Sequence, residues 1–593
     1  MVFNSLTFIV FFACVLALHS LPLPWTLKKV NLLLASYLFY SAWNPPFVIL
    51  LWVSTVVDWY AAQGLVKAQR QATRHAWMLL SVVANLGMLG YFKYGQFLLD
   101  NFTALAHAAG IAYQPAHHDI VLPVGISFYT FATMSYTLDV YLRRAAPAQN
   151  LLDYALFVTF FPHLVAGPIM RPTELVPQFA TPRRASAAQL RYGLALMTLG
   201  LFNKVVLADS FLGPVAERVY DGAHVPGALD AWGATLAFSG QIFCDFAGYS
   251  TTAIGAALCL GFAMPDNFRF PYAAIGFSDF WRRWHITLSS WLRDYLYIPL
   301  GGNRHGPRRT YAALMTTMLL GGLWHGANWT FVAWGGLHGT YLAAERALRG
   351  RLRDYHPGPA ALVALGLLTY ALVNVTWVFF RAKTFAKAWV VLRGMFGANA
   401  GARPILSTFN LLAVALIIGG ILITHWLMRA RTLESVIART PATAVALLWG
   451  LMAFAIVAAQ GDVPGRRPRT ARAWRSRCPC ARCRSSPGDA CCSWRWRCGW
   501  CCSARGRGTG AGSVSRPRSA IRSGCGRSSA GASTAARAMP RCCSAARACI
   551  STCSCRCGSA SPGARRSSCP SRGLRPSLQS RTSPRMPTSR AGC

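Results

Sequence analysis

The stretch DFWRRWHITLSSWLRDYLYIPLGGNRHG (residues 279–306), followed after a short basic gap by MLLGGLWHGANWTFVAWGGLHG (318–339), decides how the rest of this sequence is read. It sets two histidines, His285 and His325, among tryptophans and between apolar spans. A histidine at membrane depth is costly and usually faces an interior or a water-filled cavity. The pair therefore marks a candidate site inside a membrane-embedded body. On residue type alone, a core histidine that donates to a backbone carbonyl is the stronger reading of His325. Trp281, Trp284, Leu288, Trp291 and Tyr295 recur every three or four residues, which predicts one amphipathic helix over 276–298 in or near the membrane interface. Asp279, Arg282, Arg283 and Arg293 project from its other faces. Glycines on both sides of His325 allow close backbone approach.

Outward from this stretch the chain is apolar in both directions. Hydrophobic residues make up 53% of 593 and charged residues 13%, against about 25% charged in an ordinary soluble protein. Apolar spans lie near 2–20, 30–43, 46–62, 77–99, 120–138, 151–169, 190–208, 229–263, 311–346, 360–380, 406–428 and 441–459. A crossing needs roughly 20 residues, so the longer spans hold two crossings or a crossing and a re-entrant piece, about 10–13 helices in all. The fold class is all-α and polytopic. LPVGISFYTF (122–131) and FFPHLVAGPIMRP (160–172) carry Pro and Gly where a plain spanning helix would not. Such backbone is tolerated only where protein or a water-filled cavity surrounds it, which predicts a central funnel or tunnel. The basic loops Lys67–His75, Arg143–Arg144, Arg183–Arg191 and Arg304–Arg309 are the expected cytoplasmic face.

The membrane domain is expected over 1–462 and a different kind of segment over 463–593. From Gly465 onward there are 27 Arg, no Lys and one acid, Asp489, so this tail carries +26 of the formal +41. What is left is ordinary for a membrane protein with basic loops, and a nucleic-acid partner is not expected. The tail also holds 17 of the 20 cysteines, without paired CxxC order and without a histidine, so a zinc site is disfavoured. Cys14 and Cys259 fall in apolar spans and are expected to be buried. The Arg, Ser, Cys, Ala, Gly and Pro mixture cannot bury enough apolar surface to order itself, which predicts disorder. It is also the mixture expected when a GC-rich gene is read out of frame.

Other polar residues in apolar spans read both ways. Asp209 and Asp245 would orient a histidine or an amide, or pair with an Arg. His163 and Arg171 flank a Gly-Pro-Ile turn, and Asn303 and Arg304 follow a Gly pair; they would line a cavity or simply cap broken helices. His338 is read as structural. His285 and His325 would also serve as metal ligands, but no nearby Asp, Glu or Cys completes a set.

LPVGISFYTF, FPHLVAGPIMRP, GLFNKVVLAD, QIFCDFAGYS, MPDNFRFPY, the 279–306 stretch, GGLWHGANWTF and WVFFRA occur in that order. Together they resemble the membrane-bound O-acyltransferase family over about residues 1–460, closest to its bacterial polysaccharide-acetylating branch. The resemblance implies that His325, in the WHG motif, is catalytic, that His285, in the RRWH motif, is its companion, and that a tunnel joins the two membrane faces. It implies a cytoplasmic thioester donor, acetyl-CoA, and a cell-surface acceptor, foremost alginate. It further implies the bacterial inner membrane and periplasmic acetyltransferase partners. Peptidoglycan, another surface polymer or teichoic acid are the acceptors it leaves open; a transporter is the reading from another class. That branch ends in a short aromatic-rich segment where this chain has its Arg/Cys tail.

Acyl transfer to a hydroxyl needs a base, an oxyanion stabiliser and exclusion of water. Imidazole suits the base role, which falls to His325. His285 would orient it or donate to the oxyanion, with the indole N–H of Trp324 or Trp284 as further donors. Arg282, Arg283, Arg304 and Arg308 would hold donor phosphates or merely anchor the cytoplasmic face.

Overall fold

A computed structural model describes residues 1–115, 120–352 and 357–461, and the expected tail over 463–593 lies outside the described residues. Every regular element in that region is helical. Among the described residues, seven helices are long and apolar enough to cross a membrane: Pro45–Lys67, Gln71–Ala108, Ala187–Tyr220, Ala228–Cys259, Pro359–Arg381, Thr408–Leu427 and Ala442–Gln460. Shorter helices such as Leu6–Ser20, and broken ones, make up the rest of the larger number read from the spans.

The helix Ala228–Cys259 runs through the middle. Small residues let its neighbour Ala187–Leu201 approach to backbone contact: a Cβ on Gly200 would sit 2.4 Å from the Gly248 carbonyl, and one on Gly193 2.7 Å from that of Gly255. Without a hydrophobic force between helices in lipid, this close packing is what holds such a pair together. On one side lies an aromatic core around Phe8, Phe39, Tyr136, Phe157 and Phe161. On the other lies a core around Phe238, Trp284, Trp334 and Trp377.

The two Pro/Gly breaks meet each other. Gly125 caps the helix Ile126–Tyr141 with φ 78°, and a Cβ there would lie 2.6 Å from the Leu164 carbonyl. The backbone groups freed by the second break find side chains: Asn267 Nδ2 donates to the Gly167 carbonyl at 3.3 Å, and Ile169 N–H donates to Thr287 Oγ1 at 2.9 Å. Irregular backbone at this depth is thus sealed by the segment that carries His285.

The single helix expected over 276–298 does not form. Phe277–Arg283 and Ile286–Leu292 are separate short helices, followed by a π-helical turn at Arg293–Tyr297. The break falls at His285, whose φ of 42° and ψ of 55° are left-handed. Asn267 causes it. Its carbonyl oxygen takes the Ile286 N–H at 2.9 Å and its side-chain Oδ1 takes the Thr287 hydroxyl at 2.9 Å, so the chain reverses instead of continuing. Trp284, Leu288 and Trp291 are consequently buried in protein rather than laid on an interface. Cys259 is buried as expected, but Cys14 is exposed, because it lies on a face of Leu6–Ser20 that packs against no other described element.

Candidate active site

Three elements converge where the two histidines meet. His285 occupies the strained turn just described; a non-glycine residue held in that region costs about 1–3 kcal/mol and persists only where its surroundings fix it. The ring is fully buried, and its Nδ1 lies 3.0 Å from Asn267 Oδ1. The Asn267 amide cannot be turned around, because its Nδ2 faces the Gly167 carbonyl and the Ser250 hydroxyl at 3.1 Å, while Oδ1 also takes the Thr287 hydroxyl. The bond is therefore Nδ1–H donating to Oδ1, and Nε2 carries the lone pair. That Nε2 is buried and has no hydrogen-bond partner among the described residues. In this tautomer it accepts hydrogen bonds, which suits orienting His325 or receiving a proton and not donating to an oxyanion.

His325 ends the helix Gly306–His325. That helix is pressed against Trp329–Arg351 by glycine: a Cβ on Gly335 would lie 2.2 Å from the Met318 carbonyl, and one on Gly322 2.3 Å from that of Phe331. Asn328 caps the second helix by accepting from Thr330 N–H at 2.9 Å and ties the turn to the Lys383 carbonyl at 3.0 Å. The imidazole of His325 is gripped edge-on by Trp324, Trp334 and Phe380, with ring centroids 5.0, 5.1 and 5.3 Å away. The Trp324 indole also lies 6.0 Å from the His285 ring, so one side chain touches both imidazoles.

Between them is a cavity of about 180 Å³, lined by both histidines, Trp284, Trp324, Lys93 and Ser127 among others. Pockets that enclose a drug-sized ligand run to roughly 300–1,000 Å³, so this one admits reacting groups and little more. The Trp324 and Trp334 indole N–H groups are buried and unpartnered among the described residues.

A second cavity, of about 390 Å³, lies on an adjacent face of Ala228–Cys259. Asn267, Ser250 and Phe268 line it, and so do the exposed Arg269 and Arg431. Asn267 thus stands between this wider cavity and the small one. The Gly261 turn beside it packs on Arg184, so its mouth is at the end of the molecule that carries the basic 183–191 loop.

The other sequence-derived candidates lie elsewhere. Arg283 is held by Asp279 at 2.9 Å, and Arg429 by the same carboxylate at 3.0 Å. Arg282, Arg304 and Arg308 are exposed and line neither cavity. Asp209 and Asp245 both pair with Lys204, at 3.0 and 2.5 Å, and Arg171 pairs with Asp294 at 2.7 Å. Asn303 accepts from Tyr297 at 2.6 Å, and His338 Nε2 donates to Thr376 Oγ1 at 2.9 Å. His163 is buried beside Phe160. Among the described residues no group of three His, Cys, Asp or Glu side chains could hold a metal ion. Asn267 and Lys93 were missed by the sequence reading. A lone lysine in the apolar span 77–99 was a legible signal; nothing near Asn267 announced its role.

The sequence profile of the membrane-bound O-acyltransferase family, MBOAT, matches residues 46–367, which contain every residue of the small cavity except Trp377 and Phe380. The chain belongs to that family. It is an acyltransferase and a multi-pass membrane protein. Its relatives include a "Probable alginate O-acetylase AlgI" of Azotobacter vinelandii, 43% identical over 67% of this chain and 78% of the relative. A peptidoglycan O-acetyltransferase of Helicobacter pylori is 39% identical over 63% and 74%. A teichoic acid D-alanyltransferase of Lacticaseibacillus rhamnosus is 29% identical over 46% and 76%. The names of these MBOAT relatives cover alginate, peptidoglycan and teichoic acid.

Proposed function

We propose that this protein transfers acetyl groups from acetyl-CoA, presented at the basic cytoplasmic end, to hydroxyl groups of an exopolysaccharide, alginate, on the far side of a bacterial inner membrane. The observation that carries this reading is the meeting of His285 and His325 on one small cavity walled by aromatic side chains. The acceptor hydroxyl attacks the thioester carbonyl while His325 takes its proton. The tetrahedral intermediate collapses, the C–S bond breaks, and the thiolate leaves with that proton. His285, fixed by Asn267, presents its free Nε2 to the cavity it shares with His325, where it can accept a hydrogen bond or a proton. Indole walls limit loss of the thioester to water. Arg269 and Arg431, rather than Arg282, Arg283 and Arg304, suit the donor's phosphates, because they line the wider cavity that backs onto Asn267. Periplasmic acetyltransferase partners would finish modification of the polymer.

The identities favour alginate slightly over peptidoglycan. The test is transfer of labelled acetyl from acetyl-CoA in membranes carrying this protein, with alginate or peptidoglycan fragments as acceptor. His325→Ala is expected to abolish transfer while the protein still inserts. Retained transfer in that variant removes His325 from the mechanism, and label only in peptidoglycan reassigns the acceptor.

A further inference from the structure

The tautomer of His285 leaves the acyl carbonyl without a donor from that ring as negative charge develops on its oxygen. We propose that Lys93 fills this role: its ammonium is the fixed cation that stabilises the tetrahedral oxyanion. This rests on the acyl-transfer reading above and adds a catalytic residue to it.

Lys93 lies on a π-helical turn, Gly90–Tyr94, between the helices Gln71–Leu89 and Gly95–Ala108. Single π turns inside α-helices often mark functional sites. Here the turn aims two consecutive side chains at the end of the His325 helix. Tyr94 Oη donates to the Leu323 carbonyl at 2.9 Å, and Lys93 Nζ donates to the Trp324 carbonyl and, at 3.0 Å, to Ser127 Oγ. Lys93 Nζ also stands 5.3 Å from the centre of the Trp324 ring. Both lysine and serine line the small cavity with the two histidines.

Capping a helix end explains Tyr94 in full but leaves part of Lys93 unused. An ammonium has three N–H donors, and two are engaged. No carboxylate lies within ion-pair distance of Lys93 among the described residues. A cation held by neutral oxygens in an apolar cavity attracts incoming negative charge strongly, because nothing nearby already cancels it and little water screens it. The two oxygens also fix its position before the reaction begins, so no reorganisation is needed as the charge forms. In the step itself the hydroxyl oxygen bonds to the carbonyl carbon and its proton passes to His325. The C=O π pair moves onto oxygen beside Lys93; it then re-forms the carbonyl as the C–S pair departs on sulfur, which takes the proton from His325. The products are the ester and the free thiol.

The test uses the purified full-length protein in lipid nanodiscs with acetyl-CoA and acceptor. Lys93→Met is expected to lower kcat roughly 10²–10³-fold, the usual cost of one oxyanion donor, with the donor KM little changed. Lys93→Arg, which keeps the charge, is expected to recover at least about tenfold of that loss. Binding gives a readout that capping alone would not move. A thioether analogue of acetyl-CoA should bind Lys93→Met as it binds the wild type, while a trifluoromethyl ketone analogue with acceptor present, whose carbonyl adds the acceptor hydroxyl as His325 takes the proton to leave an anionic tetrahedral adduct, should bind far more weakly. Equal loss of both analogues, or a kcat near the wild-type value, overturns the proposal. If Lys93→Met does not fold, Ser127→Ala decides: loss of one holder should lower kcat about tenfold at constant KM, and an unchanged kcat overturns the proposal. A wild-type protein that turns over no thioester donor instead sinks the acyl-transfer reading itself.

Discussion

Two buried polar assemblies in this protein are built to opposite specifications. Between the helices Val48–Lys67, Gln71–Leu89 and Ile126–Tyr141, Asp58 accepts from Asn85 Nδ2 at 2.8 Å and from Thr137 at 3.4 Å, and Asn85 Oδ1 accepts from Ser54 and Thr133 at 2.9 and 3.0 Å. Each oxygen of Asp58 and Asn85 is met by a neighbouring helix. Around His285 and His325 the polar atoms converge on a shared cavity, and among the described residues Nε2 of His285 and the indole N–H of Trp324 have no partner. The closed assembly spends its hydrogen bonds on holding helices together; the open one keeps them for something that enters. An unpartnered atom alone does not make the difference, since His163 Nε2 and His338 Nδ1 are unpartnered too. What separates His285 is the cavity its free nitrogen shares with a second imidazole and a lysine.

That contrast is most easily broken at His285. His285→Ala is expected to lower acetyl transfer by about 10²–10⁴-fold, the range for a group that handles or steers a proton, while the protein inserts normally. Transfer at the wild-type rate would put His285 in the same class as Asp58, a buried polar group with a purely structural task.

A paired substitution sharpens it. Asn267→Ala and Asn85→Ala each leave buried hydrogen-bonding groups unmet, at about 1–3 kcal/mol of stability. Both should melt earlier in a thermal unfolding assay. Only Asn267→Ala should also lower kcat per folded molecule, by about tenfold to a hundredfold, because it frees the His285 ring to rotate and change tautomer. If both variants lose melting temperature and neither loses kcat, the Asn267 bond is structural and the comparison fails.

The sequence made some of this visible and hid the rest for physical reasons. Apolar span lengths gave the all-helical membrane class, and the Pro and Gly at 122–131 and 160–172 gave the irregular backbone, of which the first break reaches the small cavity through Ser127 and Phe128 while the second is sealed by Asn267 and Thr287. The two histidines stood out because imidazole is costly in hydrocarbon. The break at His285 was invisible, because Trp281, Trp284, Leu288 and Trp291 keep helical spacing across it and the residue that breaks it, Asn267, lies 18 positions earlier. The surroundings of the arginines were hidden for a related reason. Arg283 lies next to the motif in sequence, but Asp279 and nearby carbonyls hold it, whereas Arg269 and Arg431 meet at a cavity only after folding.

Those arginines give the next smaller effect. Arg269→Ala with Arg431→Ala is expected to raise the KM for acetyl-CoA by about tenfold with kcat kept, the pattern of a contact made equally in ground and transition states. High salt should mimic the loss, because both side chains are exposed and screened. A fall in kcat at unchanged KM would instead place them with the chemistry.

The smallest effect lies at a third kind of charge, outside the membrane-spanning helices. Asp221, just past the helix Gly213–Tyr220, meets Arg381 at 2.6 Å and Lys383 at 3.0 Å. Hydrogen bonding by Arg381 first, and then by Lys383, holds its carboxyl down at about 2. A depressed carboxylate stabilises the fold fully above its unfolded value near 3.8 and loses that contribution as the pH falls from there towards 2. The carboxylate is partly exposed and Lys383 largely so, which limits the pair to about 0.2–1 kcal/mol. Asp221→Asn should therefore lower the melting temperature slightly at pH 7, converge with the wild type as the pH drops towards 2, and leave acetyl transfer unchanged. A difference between the two proteins that persists at the lowest pH would mean the side chain acts by packing and not by charge. Loss of transfer in Asp221→Asn would mean that the ion pair of Asp221 with Arg381, one residue beyond Phe380 in the cavity wall, is coupled to the site that the membrane helices enclose.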